Sequence, residues 1–265
     1  MIAQDAIVKW NDLVAPGYYR MGLDCVTGFE AAQPGQFVMI RVTDAAEPLL
    51  RRPFSLLGLI REEGGLAGME ILFKVVGKGT QRLARCQAGD RLAVLGPLGN
   101  AFLVPDSCNQ LILVAGGIGV PPIRFLAQSL LEREGGLNRC VVFIGGRSQD
   151  DLVCISEFDL PGFLLDVSTD DGSRGRHGLV TQSLEKTLDS APADLICACG
   201  PPAMLKAVAT IANRRQIPCQ VSIEAMMACG MGACLGCAVE TTDGDGHYRH
   251  VCVDGPVFDA GRIKW

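Results

Sequence analysis

Residues 110–122 read Gln-Leu-Ile-Leu-Val-Ala-Gly-Gly-Ile-Gly-Val-Pro-Pro. The apolar run Gln110–Ala115 has the length of a buried strand. Gly116, Gly117 and Gly119 make the turn, and Pro121-Pro122 suits the first turn of a helix, where proline has no N–H to waste. Strand, glycine turn and helix start form a phosphate-binding layout, because free N–H groups at the helix start point at an anion. The stretch does not satisfy G-x-G-x-x-G, so a glycine-rich βα turn without a ligand stays open beside the binding reading. The helix is expected over Pro122–Glu134, through Ile123, Leu126 and Leu130, with a stop at Gly135-Gly136.

Working outward, the alternation continues downstream. Cys140–Ile144, Phe163–Ser168, Leu195–Cys199 and Gln220–Ile223 read as strands, and Leu179–Leu188 and Met204–Ala212 as helices. Alternating βα units of this length imply a parallel sheet with helices on its faces. Cys199-Gly200-Pro201-Pro202 repeats the pattern of glycine after a strand, and ligands in such sheets bind at those strand ends. Gly145-Gly146-Arg147-Ser148 follows another strand. Arg147 there could contact ribose or phosphate, or be a solvated surface residue. His177, His247 and His250 have no catalytic constellation around them and read as polar surface.

Upstream the texture is different. Gln36–Val42, Met69–Val76 and Arg91–Leu95 are short strand-like runs punctuated by Gly and Pro, which suggests a small antiparallel barrel or sandwich. Within it stands Arg51-Arg52-Pro53-Phe54-Ser55. An Arg can neutralise a phosphate, an aromatic can lie on a ring system and a hydroxyl can bond a ring nitrogen. An edge strand is the bland reading of the same five residues. Gly77-Lys78-Gly79-Thr80 then opens a short helix expected over Thr80–Arg85.

The last fifty residues carry Cys229-Gly-Met-Gly-Ala-Cys234-Leu-Gly-Cys237, with Cys252 beyond. The spacing C-x4-C-x2-C and a distant Cys matches the plant-type arrangement for a [2Fe–2S] cluster. Gly230, Gly232 and Gly236 let such a loop bend tightly and bring N–H groups close to sulfur. A structural Zn(Cys)4 site is the alternative, although zinc sites usually pair two short knuckles.

The chain has 265 residues, 32 glycines and 12 cysteines, and a net charge of −5. That length suggests about two domains. The acidic balance argues against general nucleic-acid binding. No apolar run is long enough for a transmembrane helix, and no signal peptide is visible at MIAQDAIVKW. Reduced cysteines in the cytoplasm are expected. Cys25, Cys86, Cys108, Cys140, Cys154, Cys197 and Cys219 read as small core residues.

The pair R-x-F-S and G-x-G-T ahead of a nucleotide module resembles the ferredoxin–NADP reductase superfamily. With GPLGN (Gly96–Asn100), AGGIGVPP, TDDGS (Thr169–Ser173), CGPPAML and SIEAMMACGMGACLGCAV (Ser222–Val239), nearly the whole chain resembles the electron-transfer subunit of class 1B dihydroorotate dehydrogenase. Subunits of NADH-dependent ferredoxin:NADP oxidoreductases and sulfide dehydrogenases share much of this pattern. All four cluster positions here are Cys, whereas some of those relatives carry Asp. Ala225 and Met226 depart from the more polar pair expected after Glu224.

The resemblance implies a multidomain β + α/β chain. An N-terminal antiparallel Greek-key β-barrel would bind FAD (1–105). A Rossmann-like parallel-sheet domain would bind NAD (106–215). A small C-terminal iron–sulfur domain would follow (216–265). It implies FAD contacts from Arg52, Pro53, Phe54 and Ser55, from Leu72, Phe73 and Lys74 on the adenosine side, and from Gly79 and Thr80 at the pyrophosphate. Gly116, Gly117, Gly119, Gly200 and Pro201 would hold NAD. Cys199 would neighbour the nicotinamide or be plain core. Cys229, Cys234, Cys237 and Cys252 would ligate the [2Fe–2S] cluster. No general acid–base residue is implied. The partner would be an FMN-containing subunit oxidising dihydroorotate, two copies of each, in pyrimidine biosynthesis, with no nucleic acid or membrane involved. A reductase for another partner, and a zinc-stabilised interaction module, are the competing readings.

Overall fold

A computed structural model describes residues 1–43, 45, 47–131, 139–244 and 246–265. The N-terminal part is a closed barrel of β1 (Ile2–Ala15), β2 (Tyr18–Asp24), β3 (Phe37–Arg41), β4 (Arg52–Glu62), β5 (Gly65–Lys74) and β6 (Arg91–Leu98), with helix α1 (Lys78–Leu83) between the last two. The order β1-β2-β5-β4-β3-β6 is antiparallel throughout and closes as a Greek key. Arg52–Ser55 pairs with β3 along one side, whereas β4 pairs with β5 only from Leu56 onward, so the other side of this stretch carries no strand partner in the ladder.

β1 and β2 were not expected from the sequence. β1 is long, but register shifts at Val8/Trp10 and Leu13/Ala15 break its period-2 pattern. Bulges add a residue to one strand and so shift every later side chain to the other face. β3 is apolar on both faces for a related reason. Val38 and Ile40 fill the barrel, while Phe37 and Met39 face a second core outside it.

Next comes a seven-stranded sheet. It is built from β7 (Gln110–Gly116), α2 (Val120–Leu131), β8 (Arg139–Gly146), β9 (Phe163–Thr169), β10 (Arg176–His177), α3 (Val180–Ser190), β11 (Leu195–Cys199), α4 (Pro202–Arg215) and β12 (Cys219–Ser222). The last segment adds β13 (Ala238–Glu240), β14 (Tyr248–His250) and β15 (Val257–Asp259). The sheet runs β10-β9-β8-β7-β11-β12-β15, parallel except for the β12–β15 pair. It therefore takes in Cys219–Ser222 and Val257–Asp259, both beyond the boundary expected at residue 216. β13 and β14 form a separate hairpin in the cysteine lobe.

α2 begins at Val120, two residues before the expected start, with both prolines in its first turn. Its expected end at Glu134, and the stop at Gly135-Gly136, lie outside the described residues. α2 buries Ile123, Leu126 and Leu130 against the face of the sheet nearest the barrel, while α3 and α4 cover the other face. No helix among the described residues is long and apolar enough to cross a membrane.

Candidate functional site

The glycine turn of residues 116–119 packs against the start of α4. A Cβ at Gly119 would lie 2.3 Å from the Cys199 carbonyl oxygen, and one at Gly116 would lie 2.6 Å from Met204 Sδ. Both positions require glycine because backbone and side chain approach so closely. Gly117 differs: its φ is +50° and a Cβ would meet nothing within 4 Å. Its backbone faces open space at the carboxyl ends of β7 and β11, where a ligand can reach it.

That space is a cleft of about 580 Å³ whose lining includes Gly116, Gly117, Gly146, Pro201 and Met204. The neighbours of β7 are β8 and β11, so the chain reverses its direction of progress across the sheet here. Open α/β sheets bind ligands at such a switch point. Gly200 borders the floor, with a φ of +158° and its α-carbon side against Gly116.

The barrel contributes to the same cleft. Tyr18 Oη donates to Asp151 Oδ1 at 2.6 Å, and Lys74 Nζ donates to the same oxygen at 2.7 Å and to Tyr18 Oη at 3.0 Å. Burial would raise the Asp151 carboxyl, but the hydrogen bonds from Lys74 and Tyr18 outweigh it and hold the group well below the ordinary carboxylate range. Arg147, mostly exposed, reaches Asp151 Oδ2 at 3.3 Å. The sequence reading assigned none of Tyr18, Asp151 and Asp170 to this lining: Asp170 entered only as part of the TDDGS stretch, and nothing in the local spacing of Tyr18 and Asp151 distinguishes them. Lys74, expected on the adenosine side of FAD, turns its amine into this cleft.

Cys199 is almost fully buried, and burial pushes its thiol well up. Ser222 hydrogen-bonds it, and the Glu224 carboxyl stands close behind. Glu224 keeps an exposed surface, yet the protein packed around it desolvates the carboxyl and raises it. An acid and a thiol thus sit together behind Gly200.

On the barrel, Arg52 and Gly79 meet. A Cβ at Gly79 would lie 3.2 Å from Arg52 Nε, so the guanidinium lies across the glycine at the start of α1. Phe54 meets Phe73 edge-on at 5.9 Å, and Phe73 stacks on Tyr19 at 5.7 Å. Leu72 and Phe73 are buried, so only their backbone is available to a ligand. Thr80 Oγ1 accepts from Val76 N (2.9 Å) and Gly77 N (3.1 Å) and donates to Gly77 O (3.0 Å). It holds the turn in shape instead of projecting out of it. Pro53 and Ser55 face Met39 and Phe37 across the β3–β4 ladder. A cavity of about 680 Å³ lined by Lys78, Gln81, Arg82 and Arg85 opens along α1.

The cysteine loop has three residues in the left-handed region: Gly230 (+72°), Gly232 (+83°) and Leu235 (+58°). These bends turn backbone N–H groups onto sulfur. Met231 N and Cys234 N each donate to Cys229 Sγ at 3.4 Å, Gly232 N to Cys252 Sγ at 3.2 Å, and Cys252 N to Cys237 Sγ at 3.4 Å. The Met231 N–H is the main reason the Cys229 thiol is lowered to about 6. The thiols pair side chain to side chain, Cys229 with Cys234 and Cys237 with Cys252. Among the described residues no three metal-ligating side chains converge on one point. Two thiol pairs with N–H donors suit two irons sharing four thiolates better than one tetrahedral zinc. Cys237 and Cys252 are buried, whereas Cys234 faces solvent.

The lobe is seated on the barrel by the Gly96–Asn100 turn. Asn100 N donates to Gly255 O at 2.6 Å and Asn100 Nδ2 to Asp254 O at 2.7 Å. The other cysteines carry no ligand geometry, and all twelve are free thiols.

Comparison with known proteins agrees with this geometry. The oxidoreductase FAD-binding domain matches residues 18–102, and the oxidoreductase NAD-binding domain matches 113–210. The iron–sulfur cluster binding domain of dihydroorotate dehydrogenase B matches 224–264. A solved structure of an NADH-dependent reduced ferredoxin–NADP oxidoreductase superposes with a TM-score of 0.83 at 27% identity, covering 98% of this chain and 90% of that one. The cytochrome b5 reductase domain of Ulva prolifera nitrate reductase shares the fold, with a TM-score of 0.66 at 16% identity over 82% of this chain and 94% of that one. The dihydroorotate dehydrogenase B (NAD(+)) electron transfer subunit of Bacillus caldolyticus is 40% identical over 95% of this chain and 94% of its own. That of Desulforamulus reducens is 37% identical over 98% of both chains. The chain is an oxidoreductase component and belongs to the family of electron transfer subunits of dihydroorotate dehydrogenase B (NAD(+)).

Proposed function

We propose that this chain relays electrons between NAD(H) and a separate FMN-containing subunit that oxidises dihydroorotate, in pyrimidine biosynthesis in the cytoplasm. Two copies of each subunit would form the complex. The observation that carries this reading is the placement of three sites around one barrel. The nucleotide cleft shares Tyr18 and Lys74 with the barrel, and the cysteine loop packs on its other side.

Bound FAD supplies hydride exchange with a nicotinamide and one-electron exchange with an iron–sulfur cluster. The chain's own residues orient and shield these groups. Arg52 would neutralise the FAD pyrophosphate over the bare backbone of Gly79, while Thr80 keeps that turn in place. Pro53, Phe54 and Ser55 would border the flavin ring, with backbone from Leu72, Phe73 and Lys74. Gly116, Gly117, Gly119, Gly200 and Pro201 would admit NAD to the cleft, with Cys199 and Glu224 behind the nicotinamide end. Cys229, Cys234, Cys237 and Cys252 would hold the cluster. Residues 1–105, 106–215 and 216–265 would be the three functional segments. The eight cysteines outside the cluster set, none of them in a disulfide, suit a reducing compartment.

The test is anaerobic purification followed by assay for flavin, iron and acid-labile sulfide, then reconstitution with an FMN-containing dihydroorotate dehydrogenase subunit. The expected result is all three cofactor signals and dihydroorotate-dependent reduction of NAD+. Protein without flavin or labile sulfide overturns the reading. Full cofactors without dihydroorotate-linked activity would move the partner to a ferredoxin, the reading that the likeness to the ferredoxin–NADP oxidoreductase favours.

A further inference from the structure

The cluster loop and the strand bearing Arg52–Ser55 meet at one side chain, Met39. It is fully buried on β3, on the face turned away from the barrel interior. Its register partner on β4 is Pro53, and Phe37, two residues earlier, pairs with Ser55. On its other side lies Gly230, next in sequence to Cys229. A Cβ at Gly230 would fall 2.5 Å from Met39 Cγ, 3.1 Å from Met39 Sδ and 3.4 Å from Leu98 Cδ1. The loop thus rests with its bare backbone on the Met39 thioether.

The small core around this contact contains Cys237 and Cys252 together with Phe37, Met39, Leu95 and Leu98. Two of the four thiols therefore share a core with the flavin-side strand. From Cys229 the route to β4 needs one nonbonded step, Gly230 to Met39, and then the β3–β4 ladder. Methionine suits the place: its volume fills the irregular gap and its thioether is polarisable. Glycine suits its side because any Cβ would strike that gap and because its φ is +72°.

We propose that Met39 is a positioning residue that sets the spacing between the cluster loop and the flavin strand, and through it the rate of flavin-to-cluster electron exchange. This rests on the reading that the four cysteines hold the cluster and the Arg52–Ser55 strand the FAD. A plain core role would make Met39 matter for stability alone.

The experiment uses the full chain with its cofactors and compares wild type with Met39→Leu, Met39→Ala, Gly230→Ala and the double variant Met39→Ala/Gly230→Ala. Flavin and iron contents are measured first. NADH is then mixed anaerobically, and flavin bleaching is followed separately from cluster bleaching. In Met39→Ala, flavin bleaching keeps its wild-type rate and cluster bleaching slows roughly tenfold, since misplacement on the ångström scale degrades a positioned reaction this strongly or more. Met39→Leu, close in volume, stays within about twofold on both steps. Gly230→Ala loses iron, and the double variant recovers part of it because removing the thioether makes room for the new methyl.

Wild-type cluster bleaching in Met39→Ala with full cofactors overturns the proposal, as does equal slowing of both steps. Should Met39→Ala lose iron, the double variant decides. Iron content above that of Gly230→Ala supports the contact, and no recovery overturns it. A wild-type chain that binds no FAD or no iron fails at the first measurement, which overturns the underlying reading and the proposal together.

Discussion

The barrel has two seams, and they are built from opposite chemistry. Toward the nucleotide sheet it presents charge. Arg20 on β2 bonds Glu70 on β5 (2.7 Å) and Glu157 (3.0 Å), while Arg124 on α2 bonds Glu157 (2.7 Å) and Glu70 (3.4 Å). The four side chains close a ring of alternating sign across the seam. Arg124 Nη1 also donates to Leu57 O at 3.0 Å, tying α2 to the backbone of β4. Toward the cysteine lobe the barrel presents apolar side chains and glycines instead. Gly99 meets Pro256, Gly230 meets Met39, and the hydrogen bonds across are to backbone carbonyls. A charged seam fixes orientation through directional bonds that salt weakens, and an apolar seam fixes distance through contact that salt strengthens. Hydride exchange needs orientation and single-electron exchange needs proximity, so each seam has the chemistry its step requires.

The comparison can be broken most severely at the charged seam. Glu70→Ala leaves Arg20 and Arg124 with only Glu157, in a place where Glu70 itself is 7% exposed. Loss of about 3 kcal/mol of stability is expected, at the low end for removing one partner of a buried ion pair because the arginines keep some solvent access. Urea unfolding measures it, and a value under about 1 kcal/mol would place this ring among ordinary surface pairs.

At the apolar seam, Gly99→Ala puts a methyl 2.5 Å from Pro256 Cδ and 2.7 Å from Gly255 O, on a residue with φ of +74°. The ring and the carbonyl cannot swing aside as a flexible side chain could. The expected cost is about 2 kcal/mol, accompanied by reduced iron content. Raising salt should narrow the gap between Glu70→Ala and wild type while leaving the Gly99→Ala gap in place. Equal response in both would show that the seams do not differ as described.

Smaller effects sharpen the picture. Thr80→Val removes the hydroxyl that satisfies two backbone N–H groups beside Gly79. It should cost about 1 kcal/mol and weaken FAD retention in equilibrium dialysis. Asp151→Asn tests the mixed cluster where barrel and cleft meet. Because the folded state depresses this carboxyl, its contribution is present above the unfolded value of about 3.9 and is lost as pH falls toward the folded value. Wild type should therefore lose more stability than the variant between about pH 5 and pH 3. Parallel curves would mean that Lys74 and Tyr18 do not hold the charge.

Legibility in the sequence followed local physics. The parallel sheet was readable because each βα unit carries its own signals: an apolar run, a glycine turn, then helical spacing. The strand pairing of β1 and β2 was not, since bulges scramble the alternation that marks a strand. The cysteine loop announced itself by spacing alone, because ligands close in sequence must be close in space. Lys74 shows the limit. Its motif pointed to the barrel's cofactor, but the side chain crosses to Asp151, which is far away in the chain.

By itself the sequence determined which backbones must bend or lie bare: the turn at Gly116–Gly119, the glycine at Gly79, the cysteine loop at Cys229–Cys237. Those are constraints of φ, ψ and missing side chains, and they act within a few residues. Only the tertiary structure decided that Glu70 would face two arginines from different elements, that Gly99 would seat Pro256 and that Met39 would lie beneath Gly230. These are pairings between segments far apart in the chain. Their energies come from burial and close approach, which exist only once the barrel, the sheet and the lobe have packed.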